Sequence, residues 1–268
     1  MKTNLSSLLF LFLLLLLSCS DDDKYEPISL AYPERNAIFD NEARRLNLSP
    51  YDESRSLLIK GGDGSYDLIN TDEAIVSVHV ENGTITFSPL SLGSATITIK
   101  DRSQNSYELS VTVKYPTTTY SVFIHHAVVE GNDITVGDKA KLEEEILESM
   151  PVDIKGKYMF TFTNRESREG EVAIHKSQSG SDILKGTFQY KRKETEDSYP
   201  QMIIQVGDKE LIYDFTKYSE PNLRSAVSLR SDHFPPMMLV EDVTDKYKSK
   251  YPALEKANAI QGLMFMRE

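Results

Sequence analysis

A thiol, a set of evenly spaced aromatic rings, five histidines and several runs of carboxylates are the residues here that could do chemistry. Cys19 is the one cysteine in 268 residues, so no intrachain disulfide can form. It follows the apolar run of residues 8–17 and Ser18, and precedes Ser20-Asp21-Asp22-Asp23-Lys24. A thiol's sulfur is the chain's best nucleophile, and one with no partner cysteine needs an explanation. The rings are Tyr158, Phe160, Phe162, Phe188, Tyr190, Tyr213 and Phe215. Alternate spacing puts several of them on one sheet face. An open face of that kind would stack against sugars or peptides; a covered one is hydrophobic core, the commoner fate of large aromatics. The chain has no tryptophan, which weakens a sugar platform.

The other candidates fall short of a site. His125 and His126 are adjacent in a strand-like stretch, so they point to opposite faces and cannot share an ion without a bulge. His79 reads as outward-facing beside Thr86, and His175 follows Ile174. Neither His-Glu-x-x-His nor Cys-x-x-Cys occurs, which removes the common zinc spacings. Gly62-Asp63-Gly64-Ser65-Tyr66-Asp67 has Asp where a dinucleotide loop needs its third glycine. Gly-x-Ser-x-Gly and phosphate-loop motifs are missing too. Asp63, Asp67, Asp72 and Glu73 lack EF-hand spacing and read as turn residues. Glu143, Glu144, Glu145 and Glu148 read as the wet face of a helix. No catalytic residue, cofactor or metal ligand is assigned, and the expectation is a non-enzyme.

Residues 16–19, Leu-Leu-Ser-Cys, resemble the lipobox of bacterial lipoproteins. In that family the leader is cut before the cysteine, whose sulfur carries lipid. Lys2 supplies the basic start, and the apolar run is too short for a bilayer span of about 20 residues. The resemblance implies a signal peptide over residues 1–18, lipid on Cys19 and a tether over residues 19–33. Asp21, Asp22 and Asp23 resemble an export signal toward the outer face of a Gram-negative outer membrane; a solvated acidic spacer is the alternative. A net charge of −11 repels phosphate backbones and argues against nucleic acid as a partner. The basic cluster Lys191-Arg192-Lys193 is cancelled by Glu194, Glu196 and Asp197.

Two units are expected, over residues 34–115 and 117–268, both mainly β. In the first, Val76, Val78 and Val80 alternate with polar residues up to Asn82-Gly83, and Ile85 and Phe87 alternate after it. A two-residue Asn-Gly turn pairs Glu81 with Thr84 and puts every apolar residue on one face. Leu46/Leu48, Leu57/Ile59, Ala95/Ile97/Ile99 and Tyr107 to Val113 add further strands. Together, GGDGSYDLINTDEAIVSVHVENGTITF, LGSATITIKD and SYELSVTV resemble the bacterial Ig-like domain, group 2. That resemblance implies a β-sandwich that serves as a spacer or adhesion module. Phe87-Ser88-Pro89-Leu90 departs from the small residues usual there.

The second unit opens on a strand over 121–129 and a helix over 139–150. Asp138 is the expected N-cap, Leu142/Ile146/Met150 the apolar stripe, and Pro151 the stop. A meander follows through Tyr158 to Phe162, Val172/Ile174, Phe188/Tyr190, 202–206 and 211–215, making an antiparallel α+β domain. Gly156-x-Tyr-x-Phe and Gly186-x-Phe-x-Tyr loosely resemble lipocalin-like calyces. A short helix over 245–251, capped by Thr244, and a last strand within 253–266 end the chain. The combined expectation is an outer-membrane lipoprotein whose Ig-like spacer presents a domain binding a glycan, a protein or an envelope component. The alternatives are a structural subunit of an outer-membrane assembly, or a hydrolase on the meander.

Overall fold

A computed structural model describes residues 25–34, 37–179, 182–191, 200–217 and 237–266. The signal segment, Cys19 and Asp21, Asp22 and Asp23 lie outside the described residues. The described chain is mainly β and divides into two compact units, Met1–Lys114 and Tyr115–Glu268.

The first unit holds two four-stranded sheets, in the orders β1-β3-β6-β5 and β2-β8-β7-β4. The strands are β1 (Ser29–Ala31), β2 (Arg45–Leu48), β3 (Arg55–Lys60), β4 (Tyr66–Asn70), β5 (Val76–Glu81), β6 (Thr84–Pro89), β7 (Gly93–Asp101) and β8 (Ser106–Val113). One core joins them: Leu57, Ile85 and Phe87 from the first sheet meet Ile97, Ile99, Leu109 and Val111 from the second. The expected hairpin is present, with Glu81 opposite Thr84 and Val78 opposite Phe87. Asn82 and Gly83 both take positive φ, at 50° and 71°, the conformation this turn demands.

The tether is shorter than the sequence suggests. Ser29–Ala31 forms β1 on the edge of β3, because Ile28 and Leu30 carry apolar side chains into the core. On the other side of β1, the Asn41 amide imitates a strand. Its Oδ1 accepts from Leu30 N at 2.8 Å, and its Nδ2 donates to Leu30 O at 2.9 Å.

Asp101, at the end of β7, is buried at 4% exposure and pins two turns. Its carboxylate accepts from Asn105 N and Nδ2, both at 2.8 Å, and from Asp63 N at 3.2 Å. Asp63 in turn accepts from Ser103 N at 3.1 Å. Burial alone would raise the Asp101 carboxyl, but the donors from Asn105, Asp63 and Ser103 outweigh it and hold the group below its ordinary value. We expect Asp101→Ala to cost about 1.5–3 kcal/mol at neutral pH, the usual loss for hydrogen bonds to a charged group. A folded pKa below the unfolded one makes this contribution full above about pH 4 and erodes it as pH falls through the folded value. Urea titrations of both proteins at pH 7 and pH 3 check this: the gap between them must narrow in acid.

The second unit is a closed antiparallel barrel in the order β10-β11-β12-β13-β14-β15-β16-β9. Its strands are β9 (Thr117–Glu130), β10 (Lys157–Asn164), β11 (Glu169–His175), β12 (Ile183–Lys191), β13 (Gln201–Val206), β14 (Lys209–Lys217), β15 (Met237–Asp242) and β16 (Lys256–Met266). The expected antiparallel meander closes on itself into a full barrel. β9 pairs with β10 through its first half and with β16 along nearly its whole length. Thr117, Thr118 and Thr119 belong to β9 and pair with β10. A register shift between Gly262 and Leu263 sets β9 and β16 in step. A side chain at Gly262 would meet the Ile124 and Phe123 side chains at 2.4 and 2.9 Å, so the bulge holds a glycine there.

The barrel's polarity is that of a protein in water. Tyr158, Phe160, Val172, Phe188, Met202, Tyr213 and Leu239 fill it, while Glu171, Lys185, Gln189 and Glu210 are exposed outside. A membrane-spanning barrel carries the opposite arrangement, with an apolar band outside. Among the described residues, no helix is long and apolar enough to cross a membrane.

Among the described residues, two helices belong to this unit, α1 (Val136–Glu148) and α2 (Thr244–Lys248). Leu142 and Ile146 of α1 pack with Ala127 and Val129 of β9, Ala257 and Ala259 of β16, and Tyr247 of α2. The cap of α1 is Thr135, not Asp138. Thr135 Oγ1 accepts from Asp138 N at 3.0 Å and donates to the Asp138 carboxylate at 2.9 Å, a reciprocal cap three residues apart. Nor does Thr244 cap α2. Its Oγ1 accepts from Ala257 N at 2.9 Å, and α2 starts after Val243 with no side-chain cap.

Candidate functional site

Every second residue of a strand shares a face, so the barrel interior can be followed in steps from the end where α1 and α2 lie. The outermost step is cationic: Lys176 just past β11, Lys209 at the start of β14 and Lys246 in α2, all exposed. Ile174 and Leu211 stand one step inward on the same strands, Val206 lies opposite Lys209, Leu184 lies opposite Ile174, and Glu241 joins them from β15. These residues and the lysines border a cavity of about 450 Å³, closed on one side by Met150, Pro151 and Asp153 from the segment after α1. A volume in this range suits a small organic ligand, and the lining mixes apolar side chains with Ser149, Asp153, Glu241 and the three lysines.

Deeper in the barrel, outside the cavity's lining, lies a buried polar cluster. Tyr158 Oη donates to Gln261 Oε1 at 3.1 Å, and Gln261 is 1% exposed. Tyr213 lies two residues past Leu211 on β14. Its hydroxyl is buried beside Tyr158 and Gln261, and hydrogen bonding with each acts on its ionisation, though the geometry completes neither bond. Burial pushes the Tyr213 phenol well above its ordinary value, and the Tyr158 hydroxyl and the Glu241 carboxylate add to the effect. Burial also raises the Tyr158 phenol and the Glu241 carboxyl, the latter against the pull of Lys246. Both tyrosines are therefore neutral donors at physiological pH.

The aromatic residues singled out by spacing come together, but inside the barrel. Tyr158 and Phe160 are fully buried, Phe188 and Tyr213 nearly so. Phe162 and Tyr190 are half-buried at the end away from the helices. Phe160 meets Phe188 edge-on at 5.0 Å and stacks with Tyr158 at 5.9 Å; Phe162 meets Phe188 at 5.1 Å. These rings do not lie on an open sheet face, because closure turns that face inward. Phe215 is on β14, its side chain outside the described set.

The histidines stay apart. His125 and His126 pair with Gln261 and Ile260, on opposite faces, since the register shift comes before them rather than between them. His125 Nε2 is 2.8 Å from Val152 O. Among the described residues, no three His, Cys, Asp or Glu side chains are grouped to hold a metal ion. Of the α1 carboxylates, Glu145 is partly exposed and also tied to the segment after α2. It accepts from Lys250 Nζ at 2.6 Å and from Tyr251 Oη at 3.0 Å, and these two, Lys250 first, hold its carboxyl below the ordinary value.

Sequence reasoning missed Lys176, Lys209, Glu241 and Lys246. They belong to no motif and meet only because three separate strand ends and α2 converge. The one signal was Lys209, on the inward phase of the Leu211/Tyr213 alternation. No protein-family model matches the chain, and no curated protein matches its sequence.

Proposed function

We propose that the protein is a lipid-anchored envelope protein, facing outward from a Gram-negative outer membrane, whose barrel is a non-catalytic binding module. The observation that carries the binding role is the cavity at the helix-covered end, walled by Ile174, Leu184, Val206 and Leu211 and bordered by three lysines and two carboxylates. The first unit serves as an Ig-like spacer. Its Asn-Gly hairpin, its two sheets and its shared core support that assignment. The apolar leader and Cys19 support the lipid anchor, and Asp21, Asp22 and Asp23 the outward address. The barrel's charged exterior supports a module that stands in water rather than in lipid. Native mass spectrometry of the protein purified from its own envelope tests the binding role. The expected spectrum carries one noncovalent small molecule per chain, lost when the chain is unfolded. A chain that is always empty speaks against it.

A further inference from the structure

The chain enters the first unit at one end and leaves it at the other. Glu26 is clamped at the entry: its carbonyl accepts from Gly62 N at 2.8 Å, and a side chain at Gly61 would run into the carbonyls of Glu26 and Pro27. Ser29 then pairs with Lys60. The turns over 61–65 and 102–105 meet at this end through Asp63 and Asp101. The Asn82-Gly83 turn joins them, Gly83 O accepting from Ile59 N at 2.8 Å. From here β8 runs the length of its sheet, so Val113, opposite Gly93, leads the chain out at the far end. Its eight residues put about 25 Å between the two ends.

We infer that the turn-bearing end of this unit stands against the headgroup layer of the bilayer, with the far end turned away from it. This rests on the lipid anchor proposed above and adds the surface that meets the membrane. Seven residue steps separate Cys19 from Glu26, and at no more than about 3.6 Å each they span at most about 25 Å by any path. Turning the unit over would need that tether drawn straight along the unit's whole length, at the loss of most of its conformational freedom. The near end exposes Gly64, Asn82, Arg102 and Gln104, which suit a wet headgroup layer and not hydrocarbon, where turn backbone finds no partners. The exposed Leu90 and Leu92 lie at the far end, next to Pro89 and Gly93.

Fluorescence quenching tests this on the lipidated protein purified from its own envelope. It is reconstituted in phosphatidylcholine vesicles that carry a nickel-chelating headgroup lipid, whose metal quenches a dye only at short range. A maleimide dye is attached to Arg102→Cys or, in a second variant, to Leu90→Cys; the Cys19 sulfur, already in a thioether, does not react. Both positions are exposed, so the fold accepts both labels. The dye at position 102 loses most of its emission when nickel is added, and the dye at position 90 keeps most of its own. Inserting about twenty Gly and Ser residues between Lys24 and Tyr25 lets the unit drift outward and restores the emission at position 102. Equal quenching at both positions, or stronger quenching at position 90, overturns the orientation and leaves the anchor standing. So does full emission at both positions on a chain that still floats with the vesicles. A chain that does not float with them overturns the anchor and the orientation together.

Discussion

Phe160→Ala lowers the stability of the barrel by about 3–5 kcal/mol, the range for deleting a buried phenylalanine ring. Phe160 is fully buried and central among the rings, with Phe188 at 5.0 Å, Tyr158 at 5.9 Å and Tyr120 at 6.1 Å. Its neighbours cannot collapse into the space, because Tyr158 is held by Gln261 and Phe188 is braced by Phe162 and Tyr190. The loss therefore contains the transfer term and most of the cavity term. For a unit of this size it corresponds to a fall of about 8–15 °C in thermal midpoint. Near-ultraviolet circular dichroism during urea unfolding follows it well, since the chain has tyrosines but no tryptophan. A loss below about 1 kcal/mol would mean that the ring has an open side. The edge of the pile gives the contrast: Phe265, 40% exposed, should cost far less when truncated.

The parts of this fold that were legible in the sequence are those where a local signal and the buried face agree. The Asn82-Gly83 hairpin is one: turn chemistry sets the register, and the register alone decides that Ile85 and Phe87 point inward. The alternation of Tyr158/Phe160 and Phe188/Tyr190 is another. Barrel closure was not legible, because it depends on β9 meeting β16 more than a hundred positions later, and nothing local in either strand encodes the partner. β15 was missed for a related reason. Met237-Met238-Leu239-Val240 shows no alternation, and Met238 and Leu239 are both buried, so the run has no polar phase to mark a strand. β1 was hidden by its length, since Ile28 and Leu30 are too few to make a period. At the cavity the difficulty is sharper. Lysines at strand ends look like ordinary solvated residues until the ends are brought together.

Cys19→Ala abolishes fatty-acid labelling of the chain and, when residues 1–18 are replaced by a leader that needs no cysteine, moves nearly all of it from the detergent to the aqueous phase. The leader must be exchanged because the apolar run of residues 8–17 would itself hold an uncut precursor to the membrane. Each methylene buried in lipid is worth about 0.8 kcal/mol, so one acyl chain gives only marginal binding and stable anchoring takes two signals. The lipoprotein resemblance implies more than one chain on this sulfur, and removing the sulfur removes them all at once. No compensating anchor is expected from the barrel, whose outer face carries Glu171, Lys185, Gln189 and Glu210 where lipid would demand an apolar band. The outward address is read in the same cells: Asp21, Asp22 and Asp23 changed together to Ala keep the label but hide the chain from added protease. An intact mass showing a free thiol on Cys19, or residues 1–18 still attached, would sink the anchor. The barrel, its cavity and the Lys176, Lys209 and Lys246 rim would then have to work without a membrane beside them.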